Sequence, residues 1–337
     1  MAVKRLAIVT GDHHAPDPTK LGHAYGAEDF AAHSAMVEAF SSLGRFEITV
    51  FNAHDGLLEK LLAARPDLVV NFCDTGLFNR PRFELHLPAF LEVHGIAYTG
   101  APPQAMVTAF DKQAVRLIAE ALGVEVPREA FLPGGMGEIP DIFPALLKPN
   151  QADGSVGITQ HSVVRDAAEA RAYLAFLAEI LPGADVLWQE YLPGPEYGMG
   201  LIGNPETELC ALPPLEVDFS RLPEGLNPIL SFESKADPSS PYWTEIRFRR
   251  AEIEDEVRER LEGWAKRLFH RFGLRDYGRF DFRCAADGRP KLLETNPNPA
   301  WANDGKLAFM ASFAGIAYPR MLEMIVEAAE ARIGGGA

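Results

Sequence analysis

Residues 277–301 constrain the fold of this chain more than any other stretch, because they have the pattern of two strands joined by a turn. The Ala-Asp-Gly run at 286–288 supplies the turn. Asp281 lies on the first predicted strand and Glu294 on the second, a separation that predicts an antiparallel hairpin with its two carboxylates side by side. Three apolar residues alternate with polar ones along the strands: Phe280, Phe282 and Leu292.

Two more polar residues are expected on the carboxylate face of this hairpin. Asn296 comes two residues after Glu294 and Arg279 two before Asp281, and alternate residues of a strand share a face. Two carboxylates and an amide suit Mg²⁺ that also holds phosphate, and a nearby arginine can stabilise developing charge. A surface hairpin with alternating polar residues is the other interpretation. The acidic face and the Asn-Pro-Asn-Pro run at 296–299 count against it.

The composition bounds the class of protein. A chain of 337 residues with 47% hydrophobic content is expected to form two or three globular domains. Its net charge of −15 disfavours nucleic acid or an anionic membrane as the main partner, and no apolar run is long enough to span a bilayer. Three scattered cysteines predict neither a disulfide framework nor a zinc site, which fits a reducing, cytoplasmic location.

Strand and helix patterns alternate over the first hundred residues, which predicts a parallel α/β sheet. Ligands of such a sheet bind beyond the carboxyl ends of its strands, where segments 11–13 and 73–76 fall. No GxGxxG follows the first strand, and His13 and His14 are expected in a loop near a substrate mouth rather than as a metal pair. Strands are expected at 6–10, 47–51, 68–72 and 96–98, and helices at 27–43, 57–64 and 83–93.

Proline and glycine divide the rest of the chain. The strand at 144–149 leads into loop 150–157, which can wrap phosphates or simply form a hairpin turn, and segment 221–242 is long enough to be a lid. We expect domains at 1–101, 102–184 and 185–331, followed by a flexible tail at 332–337. Further helices are expected at 111–122, 166–180, 253–272 and 309–331, and further strands at 186–191, 197–202 and 208–212.

Eight short motifs occur together in an order that resembles the ATP-grasp superfamily, most closely its D-alanine–D-alanine ligase-like branch. The similarity runs from about residue 98 to the C-terminus. It implies three α/β domains, an N-terminal parallel-sheet (preATP-grasp) domain first, with nucleotide held between the central and C-terminal domains. The motifs are Tyr-Thr-Gly at 98–100, Asp-Lys at 111–112, Leu-Lys-Pro at 147–149, DGSVGI at 153–158, QEYLPGPE at 189–196, Ser-Lys at 234–235, Arg-Phe-Asp at 279–281 and Glu-Thr-Asn at 294–296.

The resemblance implies a role for each matching residue. Lys112 and Lys148 match lysines that reach the ATP phosphates, and Lys235 matches a lid lysine that reaches the γ-phosphate. Glu196 matches the acid that holds the ribose. The other nucleotide-binding matches are the phosphate loop 153–157, with Gly154 and the expected donor Ser155, and the adenine-reading Gln189, Glu190 and Leu192.

The same resemblance implies the chemistry. Asp281, Glu294 and Asn296 match the ligands of two Mg²⁺ ions, with Mn²⁺ as an alternative, and Arg279 matches the arginine that steadies an acyl phosphate. With Lys235 and Ser155, Arg279 forms the implied catalytic set. A carboxylate would attack the γ-phosphorus of ATP, and an amine would then displace phosphate from the acyl phosphate.

The substrate motifs of the dipeptide ligases are altered. Their Gly-rich motif after the first strand, with a glutamate that binds an ammonium, has no match at 11–16. Ala236 replaces an aromatic residue after the lid lysine, and the run 297–301 replaces a Pro-Gly segment followed by a serine. We therefore expect a ligase that couples an amino acid to another small acid or amine. True D-alanine–D-alanine ligase activity and a non-catalytic ATP-binding module are the alternatives, and a homodimer is compatible with the resemblance.

Overall fold

The N-terminal part of the chain forms a parallel sheet with helices around it. The computed structural model describes residues 3–152 and 154–335. Strand β1 lies in the middle of the sheet order β2-β1-β3, and both pairings are parallel, which confirms the predicted sheet. The strands are β1 (Arg5–Thr10), β2 (Glu47–Phe51) and β3 (Leu68–Phe72), and the helices are α1 (Ala27–Ser42), α2 (Leu57–Ala64) and α3 (His86–Val93).

The fourth strand expected at 96–98 is reduced to one bridge. Tyr98 pairs in parallel with Val69, and the amide of Thr99 donates to the carbonyl of Val69 over 2.9 Å. The chain then turns at Gly100, whose φ of +88° is favourable only for glycine, so no further ladder forms.

The central part of the chain is an antiparallel sheet with helices before and beside it. Asp111 caps α5 by accepting a hydrogen bond from the amide of Ala114 (2.9 Å). The strand order is β4-β7-β5-β6, so β7 belongs to this sheet. The elements are α4 (Pro103–Phe110), α5 (Lys112–Ala121), β4 (Glu129–Leu132), β5 (Ala145–Pro149), β6 (Val163–Val164), α6 (Ala167–Ile180) and β7 (Val186–Glu190).

The C-terminal part contains the largest sheet. Its strand order is β11-β10-β8-β12-β13, with β9 paired to β8 outside this path. Helix α9 packs against it through one apolar face, as its helical spacing predicts. The elements are β8 (Glu196–Gly203), β9 (Leu209–Ala211), β10 (Leu215–Asp218), α7 (Glu233–Ala236), α8 (Pro241–Thr244), β11 (Arg247–Arg250), α9 (Asp255–Phe272), β12 (Tyr277–Cys284) and β13 (Pro290–Asn296).

The closing helix expected at 309–331 is two helices, α10 (Lys306–Phe313) and α11 (Tyr318–Gly334). They meet at 103° because Gly315, with a φ of +75°, ends the first and Pro319 starts the second. In the described part of the chain no single helix is long and apolar enough to cross a membrane. The bent pair of α10 and α11 meets that criterion only by its combined length and composition. Residues 332–334, expected in the tail, belong to α11, and residues 336–337 lie outside the described residues.

The N-terminal and C-terminal parts share one hydrophobic core. Met36 and Phe40 of α1 belong to the same buried cluster as Met321 and Leu322 of α11. Buried Asp276 adds polar links at the start of β12. It accepts hydrogen bonds from the amide of Gly100 (2.9 Å), the side chain of Asn204 (3.0 Å) and the guanidinium of Arg332 (2.8 Å). These contacts fix the hairpin relative to the N-terminal sheet.

Candidate active site

The predicted hairpin of β12 and β13 brings four polar residues to one place. Asp281 lies directly opposite Glu294, and Arg279 lies opposite Asn296. The guanidinium of Arg279 donates to both carboxylate oxygens of Asp281 (2.9 and 3.0 Å), and the amide of Asn296 is 3.3 Å from Oδ2 of Asp281. The predicted pairing and the shared face are confirmed.

A β-bulge makes this pairing compatible with a packed core. Phe282 pairs with Leu292 while Asp281 pairs with Glu294, so Leu293 is an extra residue on β13. In a regular strand Leu292 and Glu294 would point to the same face. The bulge instead leaves Leu292 in the core with Phe282 and lets Glu294 line the cleft.

The Asp281 carboxylate is buried between two cations. Burial alone would raise its pKa, but Arg279 and then Lys306 outweigh that effect and hold the pKa of Asp281 well below its usual range. Nζ of Lys306 lies 3.5 Å from Oδ2 of Asp281 and 3.7 Å from Oε1 of Glu196. The Asp281 side chain is therefore an anion at neutral pH, as a cation ligand must be.

The three predicted phosphate lysines reach the cleft from different elements. Lys112 begins α5 and donates to the carbonyl of Ala152, next to the phosphate loop. Lys148 lies on β5, where burial lowers its pKa and Glu294 partly opposes that shift. Lys235 enters from α7, within the predicted lid segment 221–242.

The phosphate loop rests on the lid segment. Gly154 and Ser155 have positive φ values of 63° and 60°, a conformation that turns the backbone amides of a loop toward one side. The Ser155 hydroxyl donates to the carbonyl of Leu230 in the lid (3.0 Å), so the two segments are already in contact. Asp153, expected in the same loop, lies outside the described residues.

The predicted adenine and ribose residues form a narrow slot beside the lysines. Gln189 donates to Glu129 (3.2 Å), and the carboxylate of Glu190 pairs with Lys291 and Arg128, so both side chains already have partners within the protein. Leu192 is buried in the slot. Glu196 forms a buried ion pair with Arg283 (3.3 Å).

Two adjoining cavities collect all of the predicted residues. The slot has a volume of about 90 Å³, and a second, wide cavity of about 450 Å³ extends from the hairpin to the N-terminal sheet. The slot contains Lys148, Gln189, Glu190, Leu192, Glu196 and Asp281; the wide cavity contains Gly154, Arg279 and Asn296; and both contain Lys112, Ser155, Lys235 and Glu294.

Sequence reasoning missed Lys306, which lines both cavities. Its only sequence signal is its place ten residues after Asn296 at the start of a helix. Gly11, His13 and Asp74, which follow the carboxyl ends of β1 and β3, also line the wide cavity. Burial lowers the pKa of His13 to about 4, so this side chain is neutral at physiological pH.

Comparison with known proteins decides the family. The model of the D-ala D-ala ligase C-terminus family matches residues 139–327, more than half of the chain. The chain belongs to this family. The D-alanine–D-alanine ligase of Bordetella petrii is 26% identical over 324 residues, which are 93% of each chain, and an uncharacterized protein of Sinorhizobium fredii is 28% identical over 80% of this chain and 77% of its own.

Solved structures of D-alanine–D-alanine ligases share the fold. The enzyme from Bacillus anthracis superposes with a TM-score of 0.75 at 22% identity, covering 99% of this chain and all of that one. The match confirms the ATP-grasp architecture. As a member of the D-ala D-ala ligase family, the chain is an ATP-dependent ligase that joins a carboxylate to an amine, and a purely ATP-binding module is not favoured.

Proposed function

We propose that the chain activates a substrate carboxylate as an acyl phosphate and then couples it to an amine. The observation that carries this proposal is the convergence of Arg279, Asp281, Glu294 and Asn296 on one cleft with three lysines. A carboxylate oxygen attacks the γ-phosphorus and ADP leaves. The amine nitrogen then attacks the acyl carbon, the C–O bond to phosphate breaks, and the nitrogen loses a proton.

The cleft residues divide this work between them. The slot would hold adenine against Leu192 and the ribose hydroxyls against Glu196, while Lys112, Lys148 and Lys235 would bind the phosphates as compact charges on long stems. Arg279 would donate to the oxygen that becomes negative when the amine attacks. The contact of Ser155 with the lid supports a role for this pair of segments in excluding water, which would otherwise hydrolyse the acyl phosphate.

The donor set on the hairpin fits Mg²⁺. Two paired carboxylates and an amide supply only hard oxygen ligands, and Mg²⁺ is commonly held by one or two carboxylates together with substrate phosphates. Among the described residues no group of three His, Cys, Asp or Glu side chains is arranged to hold a metal alone. Asp281, Glu294 and Asn296 would therefore hold ions shared with ATP. When bound, such ions neutralise charge on the transferred phosphoryl group.

We further propose that the product is not D-alanyl-D-alanine. Of the residues that differ from the dipeptide ligases, Gly11, His13 and segment 297–301 line the wide cavity, whereas the nucleotide residues are complete. An amino acid coupled to a different small acid or amine fits this division.

The need for ATP supports a cytoplasmic site of action. A homodimer is part of the proposal, and light scattering during gel filtration would test it.

The proposed function is tested by phosphate release from ATP. The purified chain is incubated with ATP, Mg²⁺ and pooled amino acids and amines, and the products are identified by mass spectrometry. We expect release of phosphate that depends on both pools and a new amide whose mass equals acid plus amine minus water. Tight ATP binding without release in any pool would overturn the proposal in favour of a nucleotide-binding module.

A further inference from the structure

The wide cavity has opposite charges on two of its walls. Near the hairpin it is lined by four cations. The other wall, which we call the N-terminal wall, consists of the cavity residues that precede residue 100, and its charged members are Lys20, Asp29, Asp74 and Glu84. The cations near the hairpin are Lys112, Lys235, Arg279 and Lys306.

The N-terminal wall has an excess of negative charge. Its lysine, Lys20, is already in a salt bridge with Asp29. His13 adds no positive charge at neutral pH, because burial lowers its pKa to about 4. Glu84 accepts a hydrogen bond from the amide of Asn298 (3.1 Å). With three carboxylates and one lysine, this wall has a negative formal charge.

Asp74 is the carboxylate of this wall that lacks an ion pair. It follows β3 by two residues, and no Lys, Arg or His nitrogen of the described chain lies within 4.0 Å of it. Burial raises the pKa of Asp74 to about 6, and Lys20 only partly opposes that shift. Asp74 is half-buried, and a carboxylate that loses part of its hydration without a counter-charge costs free energy, which a cationic ligand would recover.

A buried hydroxyl group in the same cavity lacks a partner among the described residues. Thr295 is only 4% exposed and lines the wide cavity, and its hydroxyl has no hydrogen-bond partner among the described residues. Buried hydroxyl groups are normally hydrogen-bonded. The N-terminal wall thus offers a carboxylate that is hydrogen-bonded to Trp301 but has no ion pair, and the cavity also offers a hydroxyl without a partner among the described residues.

We infer that the substrate in the wide cavity has an ammonium group that pairs with Asp74. The substrate is then an amine or an amino acid, and a carboxylic acid without an amino group would not bind beside Asp74. The inference rests on the proposed function, because the cavity must receive a substrate of the ligase. Asp74 is then the residue that recognises the ammonium group, which lies against the N-terminal wall.

The first experiment uses the wild-type chain with two matched probes. One is a mixture of D- and L-amino acids, and the other contains the corresponding 2-hydroxy acids, which differ only in the missing nitrogen. With a non-hydrolysable ATP analogue and Mg²⁺ present, we expect the amino acids to raise the melting temperature and the hydroxy acids to have no effect. An equal rise with both mixtures, or no rise with either, would overturn the inference.

The second experiment uses variants of the wall. For the amino acid or amine that supports phosphate release, Asp74→Asn should raise KM about tenfold or more, since the charge that pairs with the ammonium group is lost. Asp74→Glu keeps the charge and should recover most of the loss. Asp55→Asn, at an exposed carboxylate after β2 that lies outside the cavity, should change KM less than about threefold.

The two proposals fail in different ways. An Asp74→Asn chain with wild-type KM would refute the role of Asp74 while leaving the ligase intact. A wild-type chain that binds the ATP analogue but never releases phosphate would refute the proposed function. If Asp74→Asn does not fold, the comparison of the two mixtures on the wild-type chain still decides the inference.

Discussion

The hairpin side of the cleft and its N-terminal wall solve the burial of charge in opposite ways. On the hairpin side Asp281 lies between Arg279 and Lys306, and Glu196 pairs with Arg283. On the N-terminal wall Asp74 has no such partner among the described residues. Asp281 and Glu196 are thus paired with cations of the protein itself, whereas the proposed ligand would supply the cation that pairs with Asp74.

The largest effect should come from the hairpin side. Glu294→Gln removes a proposed metal ligand while keeping the side-chain volume, so turnover should fall by at least about a hundredfold with an unchanged melting temperature. Phosphate release and circular dichroism measure the two quantities. Asp287→Asn, in the exposed turn of the same hairpin, is the control. It should change turnover less than about twofold, because a surface ion pair contributes little. Near-normal turnover of Glu294→Gln would show that the metal assignment is wrong.

A smaller effect is expected at the boundary between the two sides. Lys306 lines both cavities and touches both Asp281 and Glu196. Lys306→Met should lower kcat/KM for ATP about tenfold or more, because a charge-assisted contact is lost, and Lys306→Arg should retain most activity. Calorimetric titration with an ATP analogue separates binding from turnover. Equal binding and turnover in the Met variant would confine Lys306 to a structural role.

Asp74, which has no ion pair among the described residues, should also affect the thermal stability of the chain. The pKa of Asp74 is about 6 in the folded chain against an ordinary value of 3.8, so the folded state binds more protons between these values. Its contribution to stability therefore falls as pH rises from about 4 to about 6. Without substrate, Asp74→Asn should melt a few degrees above the wild type at pH 7 and lose that advantage near pH 4. Lys20 and Asp17 also act on this group and stay unchanged in the comparison.

The smallest effect is expected where the phosphate loop meets the lid. Ser155→Ala removes one neutral hydrogen bond to the carbonyl of Leu230, so turnover should fall only a few-fold, as about 0.5–1.5 kcal/mol per bond implies. Steady-state phosphate release measures it. Ser155→Thr, which keeps the hydroxyl, is the control. A loss as large as that of Glu294→Gln would mean that Ser155 acts directly on the transferred phosphoryl group.

Much of the fold was predictable because it rests on local patterns. The alternation of strand and helix patterns predicted the strands of the parallel sheet, and the helical spacing of apolar residues predicted α9. Other features depend on tertiary pairing or on single backbone conformations. Strand β7 joins the central sheet because β4 and β5 lie beside it, which no local pattern specifies. The break between α10 and α11 depends on a left-handed Gly315 that the apolar periodicity conceals.

The site divides in the same way. Motif order placed every predicted nucleotide and metal residue in the cleft, although their roles stay predictions. Lys306 and the lack of an ion pair at Asp74 could not be foreseen, since both depend on which side chains meet across distant segments. A lysine at a helix start and an aspartate after a strand are ordinary in sequence. Only their neighbours make them informative.

The bulge at Leu293 determines which changes of chain length this enzyme can tolerate. The turn at 285–289 lies outside the pairing that joins Asp281 to Glu294, so insertions there would leave the chemistry untouched. Deletion of the single residue Leu293 would make the ladder continuous and would keep Leu292 in the core and Glu294 in the cleft, because adjacent residues of a regular strand point to opposite faces. Deletion of Thr295 would instead put Glu294 and Asn296 on opposite faces. For directed evolution, the tip of the hairpin and its bulge are therefore open to changes of length, whereas the segment from Glu294 to Asn296 is fixed in length.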